Sequence, residues 1–510
     1  MVAAENGALP GGKVGGVADV VRDLPIALAD RGWNITVVTP EYGLFATLPG
    51  ARRAGTLAVD AFGATLDVDL IELPAQQTSI RHVALKHSAF CPHGPAVYCD
   101  DGAERPFASD ATKFALLAAA AAAFVRAEGH APTVVHLHDW HAALYLLLRE
   151  FDSQYRALTT IRAVYTIHNL ALQGIRPLDN DASSLAAWFP ALNVNRDVVA
   201  DPRYADCINP MAVGIRLADA VNTVSPNYAA EIRRPNDPGT GFRGGEGLET
   251  ELQTAHADGR LTGILNGCEY PKRDRRRPGW RRLLDTIGRE VYEWIVAHRG
   301  AGWIHDESLE GLARLPKRRP RHLLTSVGRL TDQKAALFLE RTSDGSTAIE
   351  KVLGSHARDT VVILLGSGDP YFETRFAEIA RHHRNLLFLC GYSETFTELL
   401  YRTGDLFLMP SSFEPCGISQ MLAMRAAQPV VAHSVGGLAD TVIDGENGFT
   451  FGGASMQEKA DSFVAAVSRA IAIRNDDQDR WLKIRAGAEA SRFPWPVAAE
   501  LYENSLYVCG

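Results

Sequence analysis

Two cations five residues apart, Arg329 and Lys334 in "SVGRLTDQKA", follow the strand-like run "HLLTSVG". In a loop after a strand, an arginine fork and a lysine point charge at this spacing can converge on one diphosphate, or simply sit on a surface loop. A second candidate is "SSFEPCGISQMLAM", where Glu414 stands between the apolar run "DLFLMP" and an apolar-faced helix. Gly417, Ile418 and Ser419 open that helix, so their amides can face an anion. The Glu414 carboxylate beside them suits sugar hydroxyls, or caps the helix.

Near the start, "GGKVGGVADVVRDLPIALADRG" sets Lys13 and the pair Gly15, Gly16 before a helix. Exposed amides, a helix dipole and a lysine make a phosphate cradle; the alternative is a glycine-rich turn with a surface lysine. "HLHDWHA" places His136, His138, Asp139 and His141 on and just after a strand. Two histidines and an acid could hold a metal. Yet His136 and His138 share one strand face while His141 belongs to the following helix, so a polar strand end facing a cleft is the better reading and no metal is expected. "YTIHNLALQG" ends another strand at His168 and Asn169. "SVGGLADTV" repeats the glycine-pair pattern in the second half, as amides near the same ligand or as a tight turn.

The elements that must position these residues follow from periodicity. Short β-branched runs such as "WNITVVTP", "PTVVHLHD", "IRAVYTIHN", "TVVILLGSG" and "QPVVAHSVGG" alternate with longer amphipathic stretches. That alternation implies parallel sheets covered by helices, with ligands at the carboxyl ends of the strands. Val17, Val20, Val21, Leu24 and Leu28 fit one helical face. A chain of 510 residues exceeds one core and predicts at least two domains. The expected division is 1–268, 269–485 with a basic linker over 270–322, and a C-terminal helix over 486–510 that packs back on the first domain. Within the linker, Lys272 to Arg282 reads as a solvated surface rather than an anion-binding patch.

A net charge of -8 argues against a nucleic-acid partner. Seven scattered cysteines, none spaced as CxxC, read as reduced thiols in a cytoplasmic protein. The N-terminus lacks the charge and apolar core of a signal peptide, and only "MVAA" precedes Glu5, which makes the first strand very short. The apolar run "FALLAAAAAAFV" is too short to span a bilayer and reads as a buried helix, so no membrane partner is expected.

Taken together the motifs resemble the bacterial glycogen synthase and plant starch synthase family. "KVGGVADV", "HLHDWH", "IHNLALQG", "TVSPNYAAEI", "GRLTGILNG", "GRLTDQK", "EPCGISQ" and "VGGLADTV" follow in the family's order along almost the whole chain. The pattern departs at Ala335, where the family has glycine, and near Ala212, where it has lysine. The resemblance implies a GT-B fold, two Rossmann-like α/β domains with parallel sheets facing across a cleft. It implies a retaining hexosyltransferase that moves glucose from ADP-glucose to the non-reducing end of an α-1,4-glucan, without cofactor or metal. The alternatives are a relative using UDP-glucose or a small acceptor, and a non-catalytic glucan-binding relative. In this family's terms Lys13, Gly15 and Gly16 would bind the donor diphosphate from one domain, and Arg329 and Lys334 would clamp it from the other. Glu414 would hold donor hydroxyls, with amides from Gly417, Ile418 and Ser419. His168 would sit by the reacting sugar, Asp139 and Asn266 would lie at the substrate, and Tyr392 would stack on the base.

Overall fold

The computed structural model describes residues 1–270, 277–297 and 302–508. Two compact units are present: Met1–Asn236 with Gly244–Gly267 and Pro494–Gly510, and Asp237–Arg243 with Cys268–Phe493.

In the first unit, Ile35–Pro40 pairs in parallel with Ile80–Lys86, and Val134–His138, Arg162–Ile167, Ala220–Thr223 and Leu261–Gly263 form a second parallel block. Val2 joins the blocks, bridging Val38 on one side and Leu137 on the other. Its N–H donates to the His136 carbonyl at 2.8 Å, and the Ala3 N–H donates to the Val38 carbonyl at 3.1 Å. A first strand reduced to so few residues still sets the order of the sheet, because its neighbours are hydrogen-bonded to it from both sides. The antiparallel strands Arg52–Ala61 and Ala64–Leu73 extend one edge.

The helix Gly16–Ala29 buries Val17, Val20, Val21, Leu24 and Leu28, the face its 3.6-residue periodicity marks out. The C-terminal helix Trp495–Tyr502 packs in the same cluster through Trp495, Ala499 and Tyr502, and the Trp495 indole donates to Asp23 Oδ2 at 3.1 Å. The helix Ala108–Ala127 is the one among the described residues long and apolar enough to cross a membrane, and it is packed inside the unit.

The second unit holds six parallel strands in the order Leu386–Leu389, Thr360–Leu365, His322–Val327, Leu406–Met409, Val430–His433, Gly448–Phe451. Numbered along the unit this is 3-2-1-4-5-6, the doubly wound order. Its switch point lies between His322–Val327 and Leu406–Met409, where loops leave in opposite directions and open a crevice. The stretch expected to be a linker contains two helices, Trp280–Ala297 and Trp303–Arg314. Trp280, Leu283, Ile287, Val291 and Trp294 pack against Leu323, Val361, Ile363 and Leu387 of the sheet. The apolar stripe lies between basic ends, so charge dominated the sequence reading while packing decides the structure. Of the basic run Lys272 to Arg282, residues 272–276 lie outside the described residues. Arg277 donates to the Thr403 and Gly404 carbonyls and pairs with Asp405 at 2.5 Å.

Trp495→Ala removes a side chain that is 5% exposed and an indole bond to Asp23. It is expected to destabilise the first unit by about 3–5 kcal/mol, read from urea unfolding followed by fluorescence, whereas Val497→Ala on the exposed face should change little.

Candidate functional site

In the second unit the proposed ligands gather at the switch point. Arg329 and Lys334 follow the strand His322–Val327, and Ser411 and Glu414 follow Leu406–Met409. Lys334 Nζ lies 2.8 Å from Glu414 Oε2, and the Ser411 hydroxyl donates to the same oxygen at 3.0 Å. Arg329, Lys334, Pro410 and Ser411 line a shared recess there. Arg329 is exposed and has no ion pair among the described residues. The Glu414 side chain is only 7% exposed, so it is a buried carboxylate held by a cation and a hydroxyl. An ammonium has three donors, and one bond to Glu414 leaves capacity for a second anion.

The loop between Glu414 and the helix Ser419–Arg425 is locked from behind. Gln420 Nε2 donates to the Cys416 and Gly417 carbonyls at 3.0 and 2.9 Å, and the Gly437 N–H donates to the Glu414 carbonyl at 2.9 Å. Gly417 sits at φ +76°, and a Cβ there would come within 2.4 Å of Gln420 Oε1. Gly437 is held equally close, with 2.2 Å from its would-be Cβ to the Cys416 carbonyl oxygen. The second glycine pair is thus a tight turn against the Glu414 loop. The amides of Gly417, Ile418 and Ser419 take no acceptor among the described residues. Tyr392, after Leu386–Leu389, is 62% exposed.

In the first unit the strand ends converge by a different device. Asp139 follows Val134–His138 with φ +54°, left-handed backbone that a non-glycine residue seldom adopts. Its Oδ1 accepts the His168 N–H at 2.7 Å, which ties the end of Arg162–Ile167 to the end of Val134–His138. Burial raises the Asp139 carboxyl to about 7, against the backbone amides of His168 and Asn169, which favour the anion. His168 is buried, its Nε2 lies 3.0 Å from His138 Nδ1, and burial lowers it to about 3. It is therefore a neutral imidazole at physiological pH. His136 has both nitrogens engaged, Nδ1 with the Tyr507 hydroxyl at 2.7 Å and Nε2 with Thr166 Oγ1 at 2.6 Å. His141 packs edge-on to Phe114 with centroids 4.7 Å apart. Asn266 is buried and its Oδ1 has no partner among the described residues.

The glycine-rich motif differs from its sequence expectation. Gly15 caps the helix Gly16–Ala29, but the acceptor for its N–H is Glu5 Oε2 at 2.5 Å, and the Val14 N–H donates to the same oxygen at 2.9 Å. The Tyr98 hydroxyl donates to Glu5 Oε1 at 2.8 Å. A buried internal carboxylate thus occupies the Gly15 amide expected to face a phosphate. Gly16 has open space where a Cβ would stand. Lys13 is exposed and pairs with Asp19 at 2.7 Å. Sequence reasoning missed Glu5 and Tyr98, which lie 93 residues apart. The available signal was a lone carboxylate after a short apolar strand and before two glycine pairs.

Comparison with known proteins gives a consistent picture. Residues 1–254 match the family described as "Starch synthase catalytic domain", and residues 321–472 match "Glycosyl transferases group 1". A glycogen synthase of Anaeromyxobacter dehalogenans is 33% identical over 511 residues, covering 98% of this chain and 97% of the relative. A glycogen synthase of Gloeobacter violaceus is 32% identical, covering 97% and 95%. Among solved structures, the catalytic domain of starch synthase IV from Arabidopsis thaliana, bound to ADP and acarbose, aligns with a TM-score of 0.76 at 26% identity over 99% of this chain and 97% of that one. A sucrose-phosphate synthase from Thermosynechococcus elongatus aligns at 0.53 and 19% identity over 98% and 97%, which speaks to the fold alone.

The raised Asp139 carboxyl carries a pH signature. The folded chain keeps a proton that the unfolded chain, with an ordinary carboxyl near 4, has already released, so stability falls as pH rises from about 4 to about 7 and levels above that. Asp139→Asn retains a residue type that tolerates left-handed backbone and removes the titration. The wild-type-minus-variant difference in urea stability should decline across that window by up to about 1.4 kcal/mol per pH unit; a level difference would contradict the assignment.

Proposed function

The chain belongs to the glycogen synthase family of retaining, GT-B-fold glycosyltransferases, and from that premise we propose that it transfers glucose from ADP-glucose to the non-reducing end of an α-1,4-glucan. The observation that carries the residue assignment is the Lys334–Glu414 pair at the switch point, with Arg329 beside it and without an ion pair among the described residues.

The chemistry follows from charge. Breaking the glycosyl–phosphate bond leaves negative charge on a diphosphate. The Arg329 fork and the remaining donors of Lys334 are placed to take that charge, and preorganised cations gain most where charge develops. The unpartnered amides of Gly417, Ile418 and Ser419 add neutral donors on the same loop. Cations and amides suffice for this task, so the reading requires no metal. Glu414, held by Lys334 and Ser411, is an acceptor for sugar hydroxyls rather than a nucleophile. Retention then proceeds by attack on the face the diphosphate leaves, with the diphosphate helping to take the acceptor's proton. Paired carboxylates of the glycosidase kind are not part of it.

In the first unit, neutral His168 and Asp139 are assigned to the reacting sugar, with Asn266, whose buried carbonyl oxygen is unpartnered, also at the substrate. Lys13 and Gly16 are assigned to the donor phosphates; Gly15 contributes through the helix end that Glu5 fixes. Tyr392 is exposed to stack on the base, a contact that accepts adenine or uracil. The relative solved with ADP favours the adenine donor. The cysteines among the described residues outside the last two positions are free thiols, compatible with the cytoplasm.

The test is glucose incorporation into glycogen from ADP-glucose or UDP-glucose, with and without EDTA. ADP-glucose should be the better donor and EDTA should have no effect. Arg329→Ala combined with Lys334→Ala should lower kcat/KM at least about 100-fold. No transfer from either donor, with glycogen binding retained, would overturn the reading.

A further inference from the structure

Beneath the proposed site a chain of buried polar groups fixes where protons sit. The Thr166 hydroxyl donates to Asn222 Oδ1, because the Asn222 amide nitrogen is turned to the Thr223 carbonyl at 3.3 Å and to the Tyr502 hydroxyl at 3.2 Å. A hydroxyl has one proton, so Thr166 must accept from His136 Nε2. Burial holds His136 neutral, which leaves its Nδ1 as an acceptor for the Tyr507 hydroxyl.

The same accounting applies one residue along the face. The His138 ring packs against His136 with centroids 4.2 Å apart and planes tilted by 31°, and it is wholly buried. His138 Nδ1 lies 3.0 Å from His168 Nε2, while His138 Nε2 is buried with no partner among the described residues. Both rings are neutral, so one of the facing nitrogens carries the proton and the other accepts it. If His168 donated, the only proton of His138 would lie on Nε2, an N–H sealed away from any acceptor. If His138 donates, its Nε2 is an unfilled lone pair instead, the less costly of the two defects. The second arrangement forces the proton of His168 onto Nδ1. That atom has no partner among the described residues and is not among the buried unpartnered atoms.

We propose that His138 is a positioning residue: by donating from Nδ1 to His168 Nε2 it fixes the tautomer of His168, which then offers an Nδ1–H donor to a sugar oxygen and is not available as a general base. This rests on the reading of His168 as a group at the reacting sugar. Asp139, the next residue, fixes the same histidine by its backbone N–H. Adjacent residues on one strand end thus set the position and the proton of His168.

The test is imidazole nitrogen NMR of the full chain with 15N-labelled histidine, His168 being identified by the signals lost in His168→Gln. Wild type should show protonated Nδ1 and unprotonated Nε2 at His168. His138→Phe keeps the ring and removes the donor. It should release His168 from the single Nδ1–H form, so that both tautomers appear, and lower kcat with ADP-glucose about 10- to 100-fold, with KM little changed. His138→Asn, which places an amide N–H near the lost nitrogen, should restore the tautomer and most of kcat. An Nε2–H form in wild type overturns the proposal whether or not any variant folds, as does glucan synthesis with kcat and tautomer unaffected in a folded His138→Phe. If wild type shows the Nδ1–H form and no glucosyl transfer, the assignment of the proton stands and the reading of the reaction is what falls.

Discussion

The first unit depends on one hydrogen bond, from the His168 backbone to the Asp139 carboxylate. Two neighbouring parallel strands end at these residues, and nothing in a parallel ladder fixes how the chains leave it. The bond does so at a cost. Asp139 is held in left-handed backbone, which costs on the order of 1–3 kcal/mol, and its carboxyl is buried where the charged form is disfavoured. Strain and desolvation concentrated in one residue at a strand end are what a site requiring fixed geometry produces. A surface turn would place glycine there.

The second unit meets the same topological demand with opposite electrostatics. Its crevice is dictated by the 3-2-1-4-5-6 strand order, and it is lined with charged side chains rather than neutral rings. Lys334 and Glu414 neutralise each other within it, so neither is a bare charge in a half-buried place, while Arg329 is left with its fork unspent. The two glycine-rich helix starts diverge for the same reason. Glu5 is 3% exposed and must be hydrogen-bonded, and the Val14 and Gly15 amides are the donors within reach. At Gly417 no internal carboxylate competes, because Glu414 is already satisfied by Lys334 and Ser411.

This explains what was legible in the sequence. Periodicity is local, so the parallel strands, the buried face of Gly16–Ala29 and the placing of Arg329, Lys334, Glu414 and His168 after strands could be read from residues a few positions apart. The family pattern added the order of the motifs. Pairings over long separations were not legible: Tyr98 with Glu5, Trp495 with Asp23, and Tyr507 with His136, the last separated by 371 residues. The helix Trp280–Ala297 was obscured for another reason. Basic clusters flank it, and composition outweighed the buried apolar stripe of Trp280, Leu283, Ile287, Val291 and Trp294 that periodicity alone would have marked.

The polar groups in the middle of the first sheet raise the question of why apolar residues do not fill the space. A valine-rich interior would be as stable, since a buried hydrogen bond contributes only about 1 kcal/mol net. It would not distinguish one alignment of strands from another. His136, Thr166 and Asn222 come from three adjacent strands, and Tyr502 and Tyr507 from the C-terminal segment. Each has its polar atoms met only if all five are in register, so a shift of any strand leaves a sealed donor or acceptor at a cost of about 1–3 kcal/mol. The network therefore penalises misalignment more than it rewards folding. What it aligns is the pair of strand ends carrying Asp139 and His168. The C-terminal segment, remote in sequence from both, is built into the site by holding the strands beneath it.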